Sequence, residues 1–352
     1  MKALVYHGNR DLRLESVPDP QLGNDEVTIH VDYCGICATD IEEYLYGPIF
    51  MSGDEPNPVT GKKIPIISGH EITGSIHDVG RDVHNLAVGD RVIVNGVLTC
   101  KTCFWCKRGE TTQCPSMAAV GFNIDGGLAD YISWPASQVI RLPYNVSSEQ
   151  AALAEPASVA LHAVRRSRLQ LGETTAVLGV GAVGMLVMQA AKAIGGKVFA
   201  VDKRKMSLDL AKTLGADAVI NSDEADAGQA LLDLTGGVGP DVVIDAAGGK
   251  DTPELAMKWA RRGGRVVLVA IYTQRPEFDF NRVVSTEVEV LGSLAYQQRD
   301  MDEVVRMLAN DSLKTLPLIS DRIRLDEVID KGFARMLAPT KDVFRILVSP
   351  SD

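Results

Sequence analysis

Residues 174 to 202 read TTAVLGVGAVGMLVMQAAKAIGGKVFAVD, and their pattern decides the fold. A short β-type run leads into GVGAVG, Gly179 to Gly184. A helix-length apolar segment follows, and then KVFAVD, a second apolar strand ending at Asp202. Glycines at this spacing permit a tight turn, close approach of the backbone to a pyrophosphate, and close packing of helix on sheet. The pyrophosphate would meet the free N–H groups at the helix start, near Ala182 and Val183. Asp202 stands where a carboxylate accepts hydrogen bonds from the adenosine ribose and repels a 2′-phosphate, which points to NAD. The basic run Lys203, Arg204, Lys205 weakens that discrimination. The apolar run Ala176 to Ala191 has 16 residues, short of the ~20 a membrane-spanning helix needs. It is therefore read as a buried strand, turn and helix.

Working outward, a helix through Leu214 and then DAVINS, VVIDAAG, RVVLVA and EVEVLGS continue the alternation. Six apolar strands with helical crossovers predict a parallel, doubly wound sheet. Up to about residue 150 the texture differs. EVTIHVDYCG, EITGSIHDVG, GDRVIVNGV and LADYISWPASQVIRLP are short β runs punctuated by Gly and Pro, the mark of a twisted, barrel-like β domain. The opening MKALVYHGNRDLRLE reads as a first strand and carries no signal-peptide pattern. The last stretch returns to mixed structure and ends in DVFRILVSP, a strand expected to rejoin the first domain. A chain of 352 residues, 45% hydrophobic and 23% charged, suits two packed globular domains. Its formal charge of -10 opposes nucleic-acid binding, which needs a positive footprint. No membrane association is expected, and the expected compartment is the reducing cytoplasm.

Four of the six cysteines lie in CKTCFWCKRGETTQC, at Cys100, Cys103, Cys106 and Cys114. Two-residue gaps let one loop present successive thiolates to a metal, and the longer arm closes a tetrahedron. Four thiolates complete the shell of a structural zinc and leave no open position. A disulfide knot would need an oxidising compartment, and iron-sulfur clusters use other spacings. Lys101, Lys107 and Arg108 are expected to offset the thiolate charge.

The other two, Cys34 and Cys37, sit in CGICATD, and GHEITGSIHDVG follows with His70 beside Glu71. A thiolate, an imidazole and a carboxylate make an open catalytic zinc site, with room for water or substrate. The carboxylate could be Glu71 or Glu155. His7, His30, His77, His84 and His162 have no such context and are read as ordinary hydrogen-bonded or surface residues.

CGICATD, GHE-x-x-G-x5-G, C-x2-C-x2-C-x7-C and a late GxGxxG occur in the order found in zinc-containing medium-chain alcohol dehydrogenases, and the chain resembles that family essentially end to end. The resemblance implies a GroES-like β-barrel catalytic domain over 1–155, with the structural zinc lobe at about 95–116. It further implies a Rossmann NAD-binding domain over 156–294 and a return to the catalytic domain over 295–352. It places catalytic zinc on Cys37, His70 and Glu155, with Glu71 behind the metal or exchanging onto it. Asp40 would orient the zinc histidine, Thr39 would bond the substrate hydroxyl, and Cys34 would be a small buried residue. Val269 and Ala270 would lie beside the nicotinamide. Two zinc ions and NAD are the implied cofactors, with a homodimer or homotetramer as the assembly. One position departs from the family: a relay histidine commonly stands where this chain has Glu42, followed by Glu43 and Tyr44. Either Glu42 takes over the relay, or the proton leaves through water and the cofactor ribose; the plainer reading of Glu42 and Glu43 is a solvated acidic helix turn.

Residues Ile41 to Ile67 form a long connection rich in Pro and Gly that resembles the (R,R)-butanediol dehydrogenase branch. Tyr46 and Phe50 are candidates to wall the substrate side of the zinc site. The expected substrate is a small vicinal diol or the matching ketone. Larger polyols, sugar alcohols and threonine are the alternative. A zinc-ribbon nucleic-acid binder is opposed by the charge and by the cofactor loop. A catalytically silent relative or a zinc-free quinone reductase is opposed by Cys37, His70 and Glu155.

Overall fold

The computed structural model describes residues 1–340 and 342–350. It divides into two compact units. The first comprises Met1–Glu155, Gln297–Ala309 and the chain from Thr315 onward; the second comprises Pro156–Tyr296 and Asn310–Lys314.

The first unit is organised around one long strand, Glu26–Ile36. Val27, Ile29 and Val31 alternate along it with no exposed surface, the period expected of a strand with one face in a core. It pairs antiparallel with Glu71–Val79, with Tyr131–Pro135 and with the C-terminal strand Arg345–Ser349. Arg345–Ser349 in turn pairs parallel with Ile319–Arg324. The late segments thus complete a seven-stranded sheet. The opening segment is two strands rather than one. Lys2–Gly8 and Asp11–Ser16 form a hairpin, turned at Arg10, whose φ of 58° supplies the left-handed residue of a tight reversal.

The second unit is the doubly wound sheet. Its six strands run in the order 218–221, 197–202, 174–178, 242–245, 265–268, 289–292, all parallel. The first strand in sequence lies at the centre, so the winding reverses between Thr174–Leu178 and Val242–Asp245. The carboxyl ends of those two strands border the crevice where such sheets bind ligands. Ala176, Val177, Val243 and Ile244 are fully buried there, which is why this region reads as unbroken apolar runs rather than alternation. Among the described residues, no helix is long and apolar enough to cross a membrane.

Candidate functional site

Strand register assembles the first cluster. Gly35 pairs with Glu71, and Ile36 pairs with Ile346. Continued one step past the strand ends, these pairings bring Cys37, His70 and Arg345 to the same edge of the sheet. Ligand atoms of Cys37, His70 and Glu71 lie within 4.8 Å of one another. Cys37 caps helix Ala38–Tyr46, whose first turn returns a carboxylate to it: the Cys37 N–H donates to Asp40 Oδ2 at 2.8 Å. Asp40 Oδ1 faces His70 Nδ1 at 3.4 Å, which leaves Nε2 of the ring to serve as a metal ligand. The Thr39 hydroxyl is 3.5 Å from Cys37 Sγ.

Glu71 is fully buried and pairs with Arg345 Nη1 at 3.1 Å. The same nitrogen donates to the Ile36 carbonyl at 2.7 Å. Glu155 is not in the compact set. It is near enough, however, for its charge to couple to His70 and Glu71, and burial pushes its carboxyl up to about 7. Cys34 is buried, and burial raises its thiol pKa. His70 Nδ1, Asp40 Oδ1 and both Glu71 oxygens are buried without a hydrogen bond of normal geometry. Unsatisfied polar atoms concentrated on an imidazole and two carboxylates beside a thiol are the chemistry of a metal site.

The four remaining cysteines form the second cluster, again with all ligand atoms within 4.8 Å. Cys100 Sγ lies 3.9 Å from Cys106 Sγ and 3.6 Å from Cys114 Sγ. These distances exclude a disulfide, whose S–S length is about 2 Å. They match the edge of a tetrahedron with metal–sulfur bonds of about 2.3 Å. The N–H groups of Cys103 and Cys106 each donate to the sulfur three residues back, both at 3.4 Å. Backbone N–H groups of Thr102 and Cys103 pull the Cys100 thiol down to about 6, while burial pushes Cys114 up to about 11. Arg108 stands within this lobe. Its guanidinium lies over the Phe104 ring and pairs with Glu110.

In the second unit Gly179 has φ +82° and touches strand Val242–Asp245's exit; a Cβ there would come within 2.6 Å of the Ala247 Cβ. At Gly181 a Cβ would meet nothing nearer than the Arg204 Nη2 at 3.5 Å. Packing alone therefore does not demand glycine at 181. Asp202 accepts the Val180 N–H at 2.9 Å, the Arg204 N–H at 2.9 Å and the Arg204 Nε at 3.3 Å. Val269 and Ala270 follow strand Arg265–Leu268, with their N–H groups on the Asp245 carbonyl at 3.1 and 3.2 Å.

Several residues of these sites carry no sequence signal. Arg345 is a lone basic residue far from the motifs. Asp245, fully buried, collects the hydroxyls of Thr252 at 2.6 Å and Tyr272 at 2.8 Å. Glu43 is fully buried, so it does not belong to a solvated turn, while Glu42 beside it is only partly covered. Burial and the Glu43 charge raise the Glu42 carboxyl pKa. Of the candidate aromatic pair, Phe50 meets Phe122 edge-on at 6.2 Å, whereas Tyr46 points to solvent at 65% exposure.

Comparison with known proteins places the chain in a family. Residues 23–144 match the model of the alcohol dehydrogenase GroES-like domain, and residues 182–310 that of zinc-binding dehydrogenases. The (R,R)-butanediol dehydrogenase of Bacillus subtilis (strain 168) is 34% identical over the whole of both chains. Sorbitol dehydrogenase of the same organism is 34% identical over all of this chain and 98% of its own length. A Sinorhizobium meliloti 1021 structure, described as a zinc-binding dehydrogenase bound to NADP, superposes with a TM-score of 0.90 at 28% identity. That match covers 99% of each chain. With matching domain models over both units and full-length relatives of this identity, the chain belongs to the zinc-type alcohol dehydrogenase family and is an oxidoreductase.

Proposed function

We propose that the chain oxidises short secondary alcohols carrying a neighbouring hydroxyl, with 2,3-butanediol and acetoin as the type pair, and uses NAD. The observation that carries this reading is the Cys37–His70–Glu71 cluster, with the Phe122 ring against His70 and the Phe50 ring packed on Phe122. Polar ligands at one side and an apolar wall at the other suit a small alcohol with methyl ends. The full-length likeness to a butanediol dehydrogenase supports the same choice.

Cys37 and His70 would hold the catalytic zinc, with Glu155 as the acidic ligand and Glu71, held by Arg345, behind it or exchanging onto it. Bound zinc supplies Lewis acidity that eases loss of the hydroxyl proton, and nicotinamide accepts the hydride. The chain's own residues do the rest. Asp40 holds the His70 ring, Thr39 offers its hydroxyl to the substrate, and Glu42, with its raised carboxyl pKa, takes the proton outward in place of a relay histidine. Cys100, Cys103, Cys106 and Cys114 hold a second, structural zinc. Asp202 favours NAD, and Val269 and Ala270 line the nicotinamide side. Strand Glu289–Gly292 lies at the edge of its sheet, an edge that a second copy would cover. Light scattering should therefore report a dimer or tetramer.

Oxidation of a longer polyol is the second reading, favoured by the equal identity to a sorbitol dehydrogenase. Zinc-loaded protein given NAD and (R,R)-2,3-butanediol should form NADH, lose that activity to a chelator and regain it with zinc. No NADH from any diol or polyol would end the proposal.

A further inference from the structure

Helix Ala38–Tyr46 carries a carboxylate with no part in either zinc cluster. Glu43 has no exposed surface. Its two oxygens accept the N–H of Ile49 at 2.9 and 3.1 Å, that of Met51 at 3.2 Å, and that of Phe50 between them. Its carbonyl takes the Tyr6 hydroxyl at 3.1 Å and the Gly47 N–H at 2.8 Å. One side chain thus gathers three consecutive backbone donors of the connection that leaves the helix. Bonds from backbone N–H groups to a carboxylate are among the stronger in a protein, and those in a buried site are costly to lose.

The segment so held reaches the metal cluster through rings. The Phe50 ring meets Phe122 edge-on at 6.2 Å, and Phe122 lies tilted against the His70 ring at 4.8 Å. Asn123 Nδ2 ties the far end, donating to the Phe50 carbonyl at 2.9 Å and to Ser52 Oγ at 3.0 Å. The helix therefore presents Cys37 at its start and, near its end, the anchor of an aromatic wall beside the ligand histidine. Phe50 is 38% exposed and Phe122 only 6%, so Phe50 is the ring with free surface to offer a ligand.

We propose that Glu43 is a positioning residue for substrate selection. It fixes the backbone of Ile49 to Met51, which sets Phe50 against Phe122 at the side of the metal centre and favours the apolar end of a short secondary alcohol. The inference rests on reading the Cys37–His70 cluster as the site of turnover.

The test uses zinc-loaded full-length protein and the variants Glu43→Gln, Phe50→Ala and their combination. Glutamine keeps the shape and one acceptor oxygen and removes the charge. Each single variant should raise KM for butanediol about tenfold with kcat within about twofold, and the double should be no worse than the poorer single. The KM for coenzyme should stay unchanged, and the preference for butanediol over sorbitol should shrink. Amide hydrogen exchange at residues 49–51 should quicken in Glu43→Gln and not in Phe50→Ala. Additive losses in the double variant, or unchanged exchange, would overturn the inference. If Glu43→Gln does not fold, Phe50→Ala decides alone, and unchanged KM and selectivity there would overturn it. Wild-type protein that oxidises neither alcohol would remove the functional reading and this inference together. An active wild type with additive variants would remove only this inference.

Discussion

Cys37 and His70 announce themselves through the residues around them, because a thiol in CGICATD and an imidazole in GHE are uncommon settings for ordinary side chains. Replacing Cys37 by Ser should cost at least about a thousandfold in turnover and one zinc per chain, with the far-ultraviolet spectrum unchanged. Retained turnover would contradict the ligand assignment. Asp40→Asn keeps the Cys37 N–H bond and weakens the hold on His70 Nδ1, so it should lower zinc affinity about 10–100-fold by metal titration. Glu155 gives a pH signature. Burial sets its carboxyl at about 7 against an ordinary 4.5, so the neutral form favours the fold. That contribution is complete below the ordinary value and is lost as pH rises through about 7. Zinc-depleted protein should melt lower at pH 8 than at pH 5.5, and Glu155→Gln should remove part of that slope; an identical slope in the variant would contradict it. Glu43 and Arg345 were not legible in this way. Two adjacent glutamates on a short helix look like a solvated face, and only the return of the chain at Ile49 to Met51 makes one of them internal. Arg345 meets Glu71 solely because the last strand joins Glu26–Ile36.

The cysteine lobe is the element most easily read from sequence, since all four ligands lie within one loop and spacing alone nearly determines the geometry. It should behave as a staple separable from the chemistry. Cys103→Ser should lose one zinc by elemental analysis. If the loss is about 3 kcal/mol, modest for a structural zinc, Tm should fall by roughly 6 °C, at about 2 °C per kcal/mol for a large domain. A stable variant with full metal content would show that the lobe is no staple. The opening hairpin was harder to read. Lys2–Gly8 and Asp11–Ser16 are joined by only Asn9 and Arg10, and that pair lacks the glycine that usually marks so tight a turn. The long connection after helix Ala38–Tyr46 was legible as an excursion with aromatic residues. Which aromatic packs against Phe122 was not, because that depends on contacts with Phe122 and Asn123, distant in sequence.

At the scale of the whole chain, the alternation of strand and helix from residue 174 was sufficient for the doubly wound sheet, because a right-handed crossover leaves few other ways to bury six apolar strands. Coenzyme choice is subtler. Asp202 is engaged by Arg204, and its replacement removes the carboxylate that would repel a 2′-phosphate. Asp202→Gly should raise KM for NAD about tenfold and improve kcat/KM for NADP. A wild type already faster with NADP at low concentration would contradict the assignment. The central claim concerns the alcohol itself. It is tested most directly by kcat/KM of the zinc-loaded enzyme with NAD for the butanediol stereoisomers, acetoin with NADH in the reverse direction, sorbitol, xylitol and threonine. A butanediol isomer should lead. A hexitol or threonine ahead of every butanediol isomer by tenfold or more, about 1.4 kcal/mol in transition-state binding, would contradict it.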